Sequence, residues 1–347
     1  MKKKFSVKYL LLLIVAIFIA ACVFLPVPYF IQRPGSTVPL AELVTVNGQE
    51  DDAPGSYSLT SVGVYQGTAL RLLQAKFDPF SEIISEEEMF GGATSEEYNQ
   101  MQEYFMTSSQ NSAIEQVLKL ADKPYHFEFK GVYVMHIDPA SDFIDKLAVG
   151  DTVVEVDGKQ FESSQEFMDY VQNKKVGDTV TIKYLRNGSE NKASGQLIEL
   201  PSNQKAGIGI SLIDHTAISS DEKIEFHVEN IGGPSAGLMF TLQIYDQLVE
   251  ADLRKGRKIA GTGTMNLDGT VGRIGGIDKK IASAAQEGTE IFFAPEDPIT
   301  DEMKKDFPGI QSNYQEAKTA LEKLDSNMKI VPVKTVKDAV DYLLNNP

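Results

Sequence analysis

The chain has 347 residues, with 33 Lys and Arg against 49 Asp and Glu, and its formal net charge is −16. This balance disfavours binding to nucleic acid, because phosphates attract cationic side chains and repel carboxylates. A hydrophobic content of 42% and a mean hydropathy of −0.18 exclude a disordered chain and a protein with many membrane spans. The single cysteine, Cys22, excludes a disulfide framework and metal sites that need several cysteines. The length predicts about two domains.

The N-terminus carries the pattern of a membrane segment. Residues 1–8 contain four lysines, and the 23 residues of 9–31 contain no charge. Such a run can cross a hydrocarbon core of about 30 Å, and the lysines before it predict a cytoplasmic N-terminus. We interpret 1–8 as a cytoplasmic stub and 9–31 as an uncleaved signal anchor. A cleaved signal peptide and a lipoprotein modified at Cys22 are the alternatives, and all three export residues 33–347.

The exported part differs in charge from the N-terminus. After the four lysines are set aside, 29 basic and 49 acidic residues remain, a net charge of −20. An acidic body without cysteine suits a bacterial cell surface, where it does not depend on oxidative folding.

The segment after the anchor mixes strand and helix patterns. Residues 33–41 are rich in Pro and Gly and predict a stiff exit from the membrane. Residues 42–48 and 56–67 alternate apolar and polar side chains, which is typical of strands. Residues 68–121 have apolar side chains at spacings of three and four, which is typical of helix.

Residues 124–199 form a separate block of short strands and turns. Within it, 147–158 reads L-x-x-G-D-x-V-x-x-V-D-G, which resembles a PDZ domain. The resemblance implies a β-rich partial barrel with two helices. It also implies that a peptide C-terminus adds as a strand beside the KGVYV strand. Its carboxylate would be bound by the backbone N–H groups of Lys130, Gly131, Val132 and Tyr133. The alternative is a plain hairpin with Gly131 at a bulge.

Residues 200–347 alternate strand and helix patterns, which predicts a mixed α/β layered domain. Here Gly233-Pro-Ser235-Ala-Gly237 reads G-x-S-x-G, as in the nucleophile turn of α/β-hydrolases. That fold needs a histidine after the serine, but all four histidines precede Ser235, so a lipase or esterase is excluded. A chymotrypsin-like order would need two β-barrels, which the α/β alternation contradicts. The histidines are His126, His136, His215 and His227.

A serine nucleophile without histidine needs another base. Lysine can serve when burial lowers its pKa from about 10.4 towards neutrality. Lys279 and Lys280 follow a glycine-rich turn and open a helix. Lys280 precedes the small apolar run Ile-Ala-x-Ala-Ala, a suitable setting for a desolvated amine. Taken singly, Ser235 could be a helix N-cap and Lys280 a surface lysine.

Together, the two motifs resemble the proteolytic domain of Lon-type serine proteases, which use a Ser-Lys dyad. The resemblance assigns the nucleophile to Ser235 and, through Gly-Gly-Ile-x-x-Lys, the base to Lys280 rather than Lys279. The resemblance places the hydroxyl of Thr262 near the lysine amine, and we expect Thr262 to orient Lys280. His227 matches a histidine of the family, and we expect it to have a structural role. The loop residues Gly233, Pro234 and Ala236 support the nucleophile. The chain departs from the family at Ile231 and Gly232, where Lys-Asp is common.

These resemblances imply one organisation. A Lon-type α/β (α+β) proteolytic domain is built from 40–122 and 200–347, with a PDZ domain inserted at 124–199 and one transmembrane helix before it. No G-x-x-x-x-G-K-[ST] string occurs, so we expect no ATP-driven unfolding. We also expect no cofactor, no metal, and a monomer that binds peptides and the membrane.

The combination resembles the PDZ-containing, Lon-like surface proteases of Gram-positive bacteria, in particular the streptococcal type that trims a secreted competence-signalling peptide. That resemblance implies a membrane-bound extracellular endopeptidase that matures a quorum-sensing peptide near its C-terminus. The alternatives are a surface quality-control protease and a PDZ binding scaffold with an inactive protease fold.

Overall fold

A computed structural model describes residues 7–229 and 231–346. The helices are α1 (Val7–Phe24), α2 (Ala69–Ala75), α3 (Glu86–Phe90), α4 (Ser95–Leu120), α5 (Ser164–Gln172), α6 (Gly237–Val249), α7 (Ile277–Gln286), α8 (Asp301–Asp306), α9 (Asn313–Leu321) and α10 (Val336–Asn345). The strands are β1 (Pro26–Pro39), β2 (Val44–Val46), β3 (Ser56–Thr68), β4 (Glu82–Ser85), β5 (Tyr125–Ile137), β6 (Thr152–Val156), β7 (Thr179–Arg186), β8 (Ser189–Gln196), β9 (Ile198–Glu199), β10 (Ala206–Gly207), β11 (Ile210–Ser220), β12 (Ile224–Phe226), β13 (Lys258–Gly261), β14 (Thr264–Met265), β15 (Val271–Gly272), β16 (Ile291–Pro295) and β17 (Lys329–Val333). A short 3-10 helix covers Leu40–Glu42.

The larger sheet has the strand order β17-β16-β13-β3-β1-β4. Strands β17, β16, β13 and β3 are parallel, and β1 runs antiparallel to β3 and β4. Successive residues of β16 alternate between two cores: Phe293 packs in the core that contains α6 and α10, and Phe292 in the core that contains α7 and α9. Every residue of β16 is buried, as expected for a parallel strand covered by helices on both faces. The predicted mixed α/β layering is therefore confirmed.

The N-terminal apolar helix is shorter than the anchor predicted from the sequence. Helix α1 ends at Phe24, and residues 26–31, assigned to the anchor from the sequence, belong instead to β1. Proline at positions 26 and 28 explains the end of the helix, since proline lacks an N–H and disfavours helix in the residue before it. The Pro/Gly segment 33–41 is likewise largely strand rather than a free linker. Among the described residues, α1 is the one helix long and apolar enough to cross a membrane.

Residues 68–121 are interrupted rather than continuously helical. Strand β4 and the short helix α3 separate α2 from the 26-residue α4. Gly91, in the left-handed conformation, ends α3, and a capping box formed by Thr94 and Glu97 starts α4. The separation matters because α4 alone contacts both α6 and the strand β11 of the second sheet.

The second sheet has the order β11-β5-β6-β7-β8, with α5 packed against it over a separate core. Strand β11 pairs with β5 over 210–220, so the segment that folds with this sheet runs beyond the predicted boundary at residue 199. The sequence also predicted two helices here. The structure has α5, but residues 139–146 form turns instead of a first helix.

A buried ionic network holds the C-terminal end of α6. Arg254 Nη1 lies 2.7 Å from Asp51 Oδ2, and its Nε lies 3.6 Å from Asp246 Oδ2, with all three side chains 5% exposed or less. Burial would raise the pKa of Asp51, but hydrogen bonds from Arg254 and Gln243 outweigh it and hold the pKa below 3.8. Burial raises the pKa of Asp246. Because α6 starts at the GPSAG loop, this network fixes the helix that presents it.

We predict that Arg254→Met strongly destabilises the fold, because it leaves two buried carboxylates without their cation. The free energy of unfolding should fall by about 3–5 kcal/mol near neutral pH. Because folding lowers the pKa of Asp51, the stability from this pair is present above pH 3.8 and disappears as the pH falls. The loss in the variant should therefore shrink in acid. Denaturant unfolding in detergent measures both effects, with the exposed-pair variant Lys304→Met as control. Equal small losses in the two variants would contradict the prediction.

Candidate active site

Ser235 lies in the turn that leads into α6. The following residue, Ala236, is the N-cap of the helix, and α6 begins at Gly237. The Ser235 carbonyl accepts hydrogen bonds from Gly263 N (2.9 Å) and from Thr262 Oγ1 (3.1 Å). The backbone of the serine is thereby fixed against the end of β13. This position also sets Ser235 Oγ at the positive end of the α6 dipole.

Lys280 reaches Ser235 from α7. Its Nζ lies 2.9 Å from Ser235 Oγ and donates a 2.6 Å hydrogen bond to the carbonyl oxygen of Thr60 on β3. Among the described residues, no carboxylate lies within salt-bridge distance of this amine. Burial lowers the pKa of Lys280 from 10.5 to about 7, because desolvation disfavours the charged form and no anion compensates.

The neighbouring lysine is in a different environment. Lys279 Nζ lies 2.8 Å from Glu82 Oε2 and 3.3 Å from Asp278 Oδ1. Its amine is therefore engaged by two carboxylates and not by the serine hydroxyl. The structure thus brings Lys280, and not Lys279, to the serine.

Thr262 and Thr60 make the hydrogen bonds that hold the serine and the lysine, and Thr262 has a different partner from the one expected. Thr262 was expected to orient the lysine amine, but the hydrogen bond that its buried hydroxyl makes goes to the Ser235 carbonyl. The partner of the amine is instead the backbone oxygen of Thr60. Sequence reasoning missed Thr60, and no side-chain pattern could reveal it, because a carbonyl of any residue in that strand position would serve.

Helix α4 holds the loop before the nucleophile. Gly233 N donates a 2.9 Å hydrogen bond to the Gln102 carbonyl, and Ser109 Oγ donates one of 3.2 Å to the Pro234 carbonyl. A Cβ at Gly232 would lie 2.7 Å from Gln102 Cβ. The close approach of α4 therefore favours glycine at this position. Neither Gln102 nor Ser109 belongs to a motif that the sequence offered.

The glycine-rich turn before α7 sets the position of Lys280. Gly276 has φ +65° and forms the N-cap of α7, a conformation that favours glycine. Arg273 braces the turn through Asp297 at 2.8 Å and Glu316 at 2.6 Å. Since the helix starts at a fixed point, its fourth residue, Lys280, faces the serine.

The pair opens into a cleft of about 920 Å³. Strand β13 pairs with β3 only over residues 56–59, and residues 61–65 of β3 line the cleft beyond that point. Other residues that line it are Gln32, Ser36, Tyr98, Gln102 and Arg273. His227 is exposed and is not among the lining residues; its backbone N–H donates to the Leu43 carbonyl. The structure therefore gives His227 no contact with the serine and lysine.

The prediction of a peptide-binding loop is wrong at the residues assigned to it, which are Lys130, Gly131, Val132 and Tyr133. Strand β5 lies inside its sheet: Val132 pairs with Asp214 of β11 on one side and with Val153 of β6 on the other. An added strand needs an unpaired edge, and β5 has none here. The Tyr133 ring is also occupied, because it stacks on Tyr104 of α4 with ring centroids 3.7 Å apart.

A groove of about 630 Å³ lies instead between α5 and the outer edge of β11. Apolar side chains from both elements line it, together with the backbone of the loop 206–209. The lining includes Phe167, Met168, Val171, Ile208, Ile210 and Leu212. The arrangement of an open strand edge, a facing helix and the loop 206–209 at one end suits an extended peptide with a free C-terminus.

The cleft and the groove share α4 as a neighbour. On the side opposite the GPSAG loop, Tyr104 Oη donates to the Asp214 carbonyl at 2.5 Å, and Asn111 Nδ2 donates to the Thr216 carbonyl at 2.9 Å. Asp214 Oδ1 in turn accepts from Ser164 N at the start of α5, at 3.1 Å. One helix therefore contacts both the nucleophile loop and the strand that borders the groove.

Comparisons with known proteins match two parts of the chain to two protein families. Residues 213–346 match the family model of the Lon protease (S16) C-terminal proteolytic domain, and residues 100–197 match that of the PDZ domain. The chain is 30% identical over 115 residues to a Lon protease of Xanthomonas oryzae, covering 33% of this chain and 12% of that protein. It is 28% identical over 117 residues to Lon protease 2 of Bacillus subtilis, covering 34% of this chain and 17% of that protein.

A solved structure, the PDZ domain of the SdrC-like protein of Listeria monocytogenes, is 42% identical, with a TM-score of 0.24. The match covers 24% of this chain and 90% of that one. The match to the two Lon proteases covers only a small fraction of their own length. The domain models confirm the predicted fold class and enzyme class: the chain combines a PDZ domain with a Lon-type serine peptidase domain.

Proposed function

We propose that the chain is a membrane-anchored, ATP-independent serine endopeptidase that acts outside the cell through Ser235 and Lys280. The observation that carries the proposal is the 2.9 Å contact between Ser235 Oγ and a buried amine whose pKa is lowered to about 7. Near neutral pH a large fraction of such an amine is unprotonated, so it can accept a proton from the serine hydroxyl.

The mechanism follows from these contacts. A neutral Lys280 keeps one N–H for the Thr60 carbonyl and directs its lone pair to the hydroxyl of Ser235. As Ser235 Oγ attacks the peptide carbonyl, its proton passes to Lys280 Nζ. The start of α6 favours the negative charge that develops on the carbonyl oxygen. The lysine then gives the proton to the leaving amine of the substrate. In the second half of the reaction, Lys280 removes a proton from a water molecule, and this water hydrolyses the acyl-enzyme.

The substrate class follows from the cleft and the groove. The unpaired part of the β3 edge at 61–65 can accept an extended segment, and the sequence offers no P-loop to drive unfolding. The groove beside β11 would hold a free C-terminus. These features favour peptides and exposed segments. The resemblance to the streptococcal type suggests a secreted quorum-sensing peptide that is trimmed near its C-terminus.

The location follows from the N-terminus. Helix α1 carries no charge after Lys8 and has no buried residue, and the lysines at 2–4 lie before it in the sequence. The positive-inside rule then orients the catalytic part outwards. The masses of an uncleaved and a processed chain distinguish this anchor from a cleaved signal or a lipid-modified Cys22.

Removing either member of the pair should abolish cleavage. We expect Ser235→Ala to lower kcat/KM at least about a thousandfold, and Lys280→Met to lower it by about 10²–10⁴ because the base is lost. The matched control, Lys279→Met, should keep most of the activity. Mass spectrometry of candidate secreted peptides incubated with the full chain in detergent measures the products. Cleavage by Ser235→Ala at the wild-type rate would refute the dyad.

The pH profile should report the lysine. Protonated Lys280 cannot act as a base, so kcat/KM should rise about tenfold per pH unit below about 7 and level off above it. Initial rates with one peptide between pH 5 and 9 give the profile. Lys280→Arg, which stays charged, should be inactive throughout. A rise that continues to pH 9 would contradict a base whose pKa is lowered to about 7.

The groove beside β11 should bind peptides through their carboxylate. Hydrogen bonds to a charged group contribute about 1.5–3 kcal/mol each, so amidation of the peptide's C-terminus should weaken binding at least about tenfold. Met168→Asp should weaken binding as well, because it puts a negative charge in the groove. Lys130→Ala should leave it unchanged. Fluorescence anisotropy with Ser235→Ala protein avoids cleavage during the measurement. Equal affinity for the free and the amidated peptide would contradict carboxylate capture.

A further inference from the structure

An exposed apolar surface lies on α2, away from the cleft and the groove. Leu70, Leu73 and Phe77 are 39%, 56% and 82% exposed. Their spacing of three and four residues gives them a common face along the helix and its C-terminal end. We call these three residues the α2 face. Large apolar side chains grouped in this way usually contact another phase or molecule.

The α2 face lies next to the end of the membrane helix. Helix α1 contacts both α2 and β3, and the strand register sets Pro26, two residues after α1, opposite Thr68, the N-cap of α2. The 18 residues of α1 extend about 27 Å, close to the thickness of a hydrocarbon core. The α2 face is therefore at the level where the hydrocarbon ends and the headgroups begin.

The side chains around the face suit that level. Phe24, Leu25 and Tyr29 are 78%, 61% and 44% exposed, so the apolar surface continues from α1 onto α2. Arg71 and Lys76 are exposed beside the face and can contact lipid phosphates. Aromatic and cationic side chains at the boundary are typical anchors of membrane proteins.

We infer that the α2 face inserts into the interfacial layer of the outer leaflet, so that the protein contacts the bilayer through α2 as well as through α1. This inference rests on the proposed membrane anchor. A second contact opposes tilting of the body relative to the membrane plane. Gly35, on strand β1, lines the cleft. The part of β1 from Pro26 to Gly35 extends about 30 Å. The cleft is thus held at a fixed height and orientation above the membrane.

The sequence provides a clean test, because the chain contains no tryptophan. A single tryptophan at Phe77→Trp, and separately at Leu73→Trp, reports its own environment in the full chain reconstituted in phosphatidylcholine and phosphatidylglycerol vesicles. The matched control is Leu344→Trp, 60% exposed. It lies at the other end of β3, where Arg257 contacts both Ser56 and Asn346, about 40 Å from Thr68. Flotation of the vesicles shows whether the chain is anchored.

We expect both α2-face tryptophans to emit at shorter wavelength than the control and to lose fluorescence when the lipids are brominated near the headgroup, while the control does not respond. Flotation without quenching at either position overturns the inference and leaves the anchor standing. A blue shift without quenching means that protein, such as a second copy of the chain, covers the face, and it also overturns the inference. A chain that does not float refutes the anchor and the inference together.

Discussion

The mechanism proposed for this protein depends on the burial of one amine. Lys280 Nζ is enclosed with two neutral oxygens, Ser235 Oγ and the Thr60 carbonyl, as its partners. Without an anion nearby, desolvation lowers the pKa of the lysine to about 7. A single carboxylate at that point would restore the charge and remove the base. Three elements must meet there to maintain the enclosure: the start of α6, the start of α7 and the middle of β3.

The pieces that meet at the amine come from distant parts of the chain, and each is held from outside the site. The network around Arg254 fixes the far end of α6, while Arg273 fixes the turn before α7. Strand β3 belongs to the segment before the PDZ domain and pairs with β13 from the segment after it. The larger sheet is thus assembled from chain segments on both sides of the second sheet. The two sheets are therefore connected at two points of the chain and not by a single linker.

Helix α4 contacts both the loop before Ser235 and strand β11. Its backbone and Ser109 hold the loop before Ser235, and Tyr104 and Asn111 contact the carbonyls of β11. The groove that suits a peptide C-terminus lies on the free edge of the same β11. Strands β1 and β3 lead from the N-terminal apolar helix α1 to the cleft. Helix α1, the cleft and the groove are therefore connected through regular secondary structure.

The sequence alone determined the local chemistry and most element types. The motifs around Ser235 and Lys280 identified the pair, the pattern over 147–158 indicated the PDZ domain, and the charge-free N-terminus predicted one apolar helix. It could not determine which strands pair, because pairing joins residues far apart and is set by tertiary packing. For that reason β5 was mistaken for an open edge, and residues 210–220 were assigned to the domain after residue 199 although they pair with β5. The tertiary structure also decided which backbone oxygen holds Lys280, since a carbonyl carries no side-chain signature in the sequence.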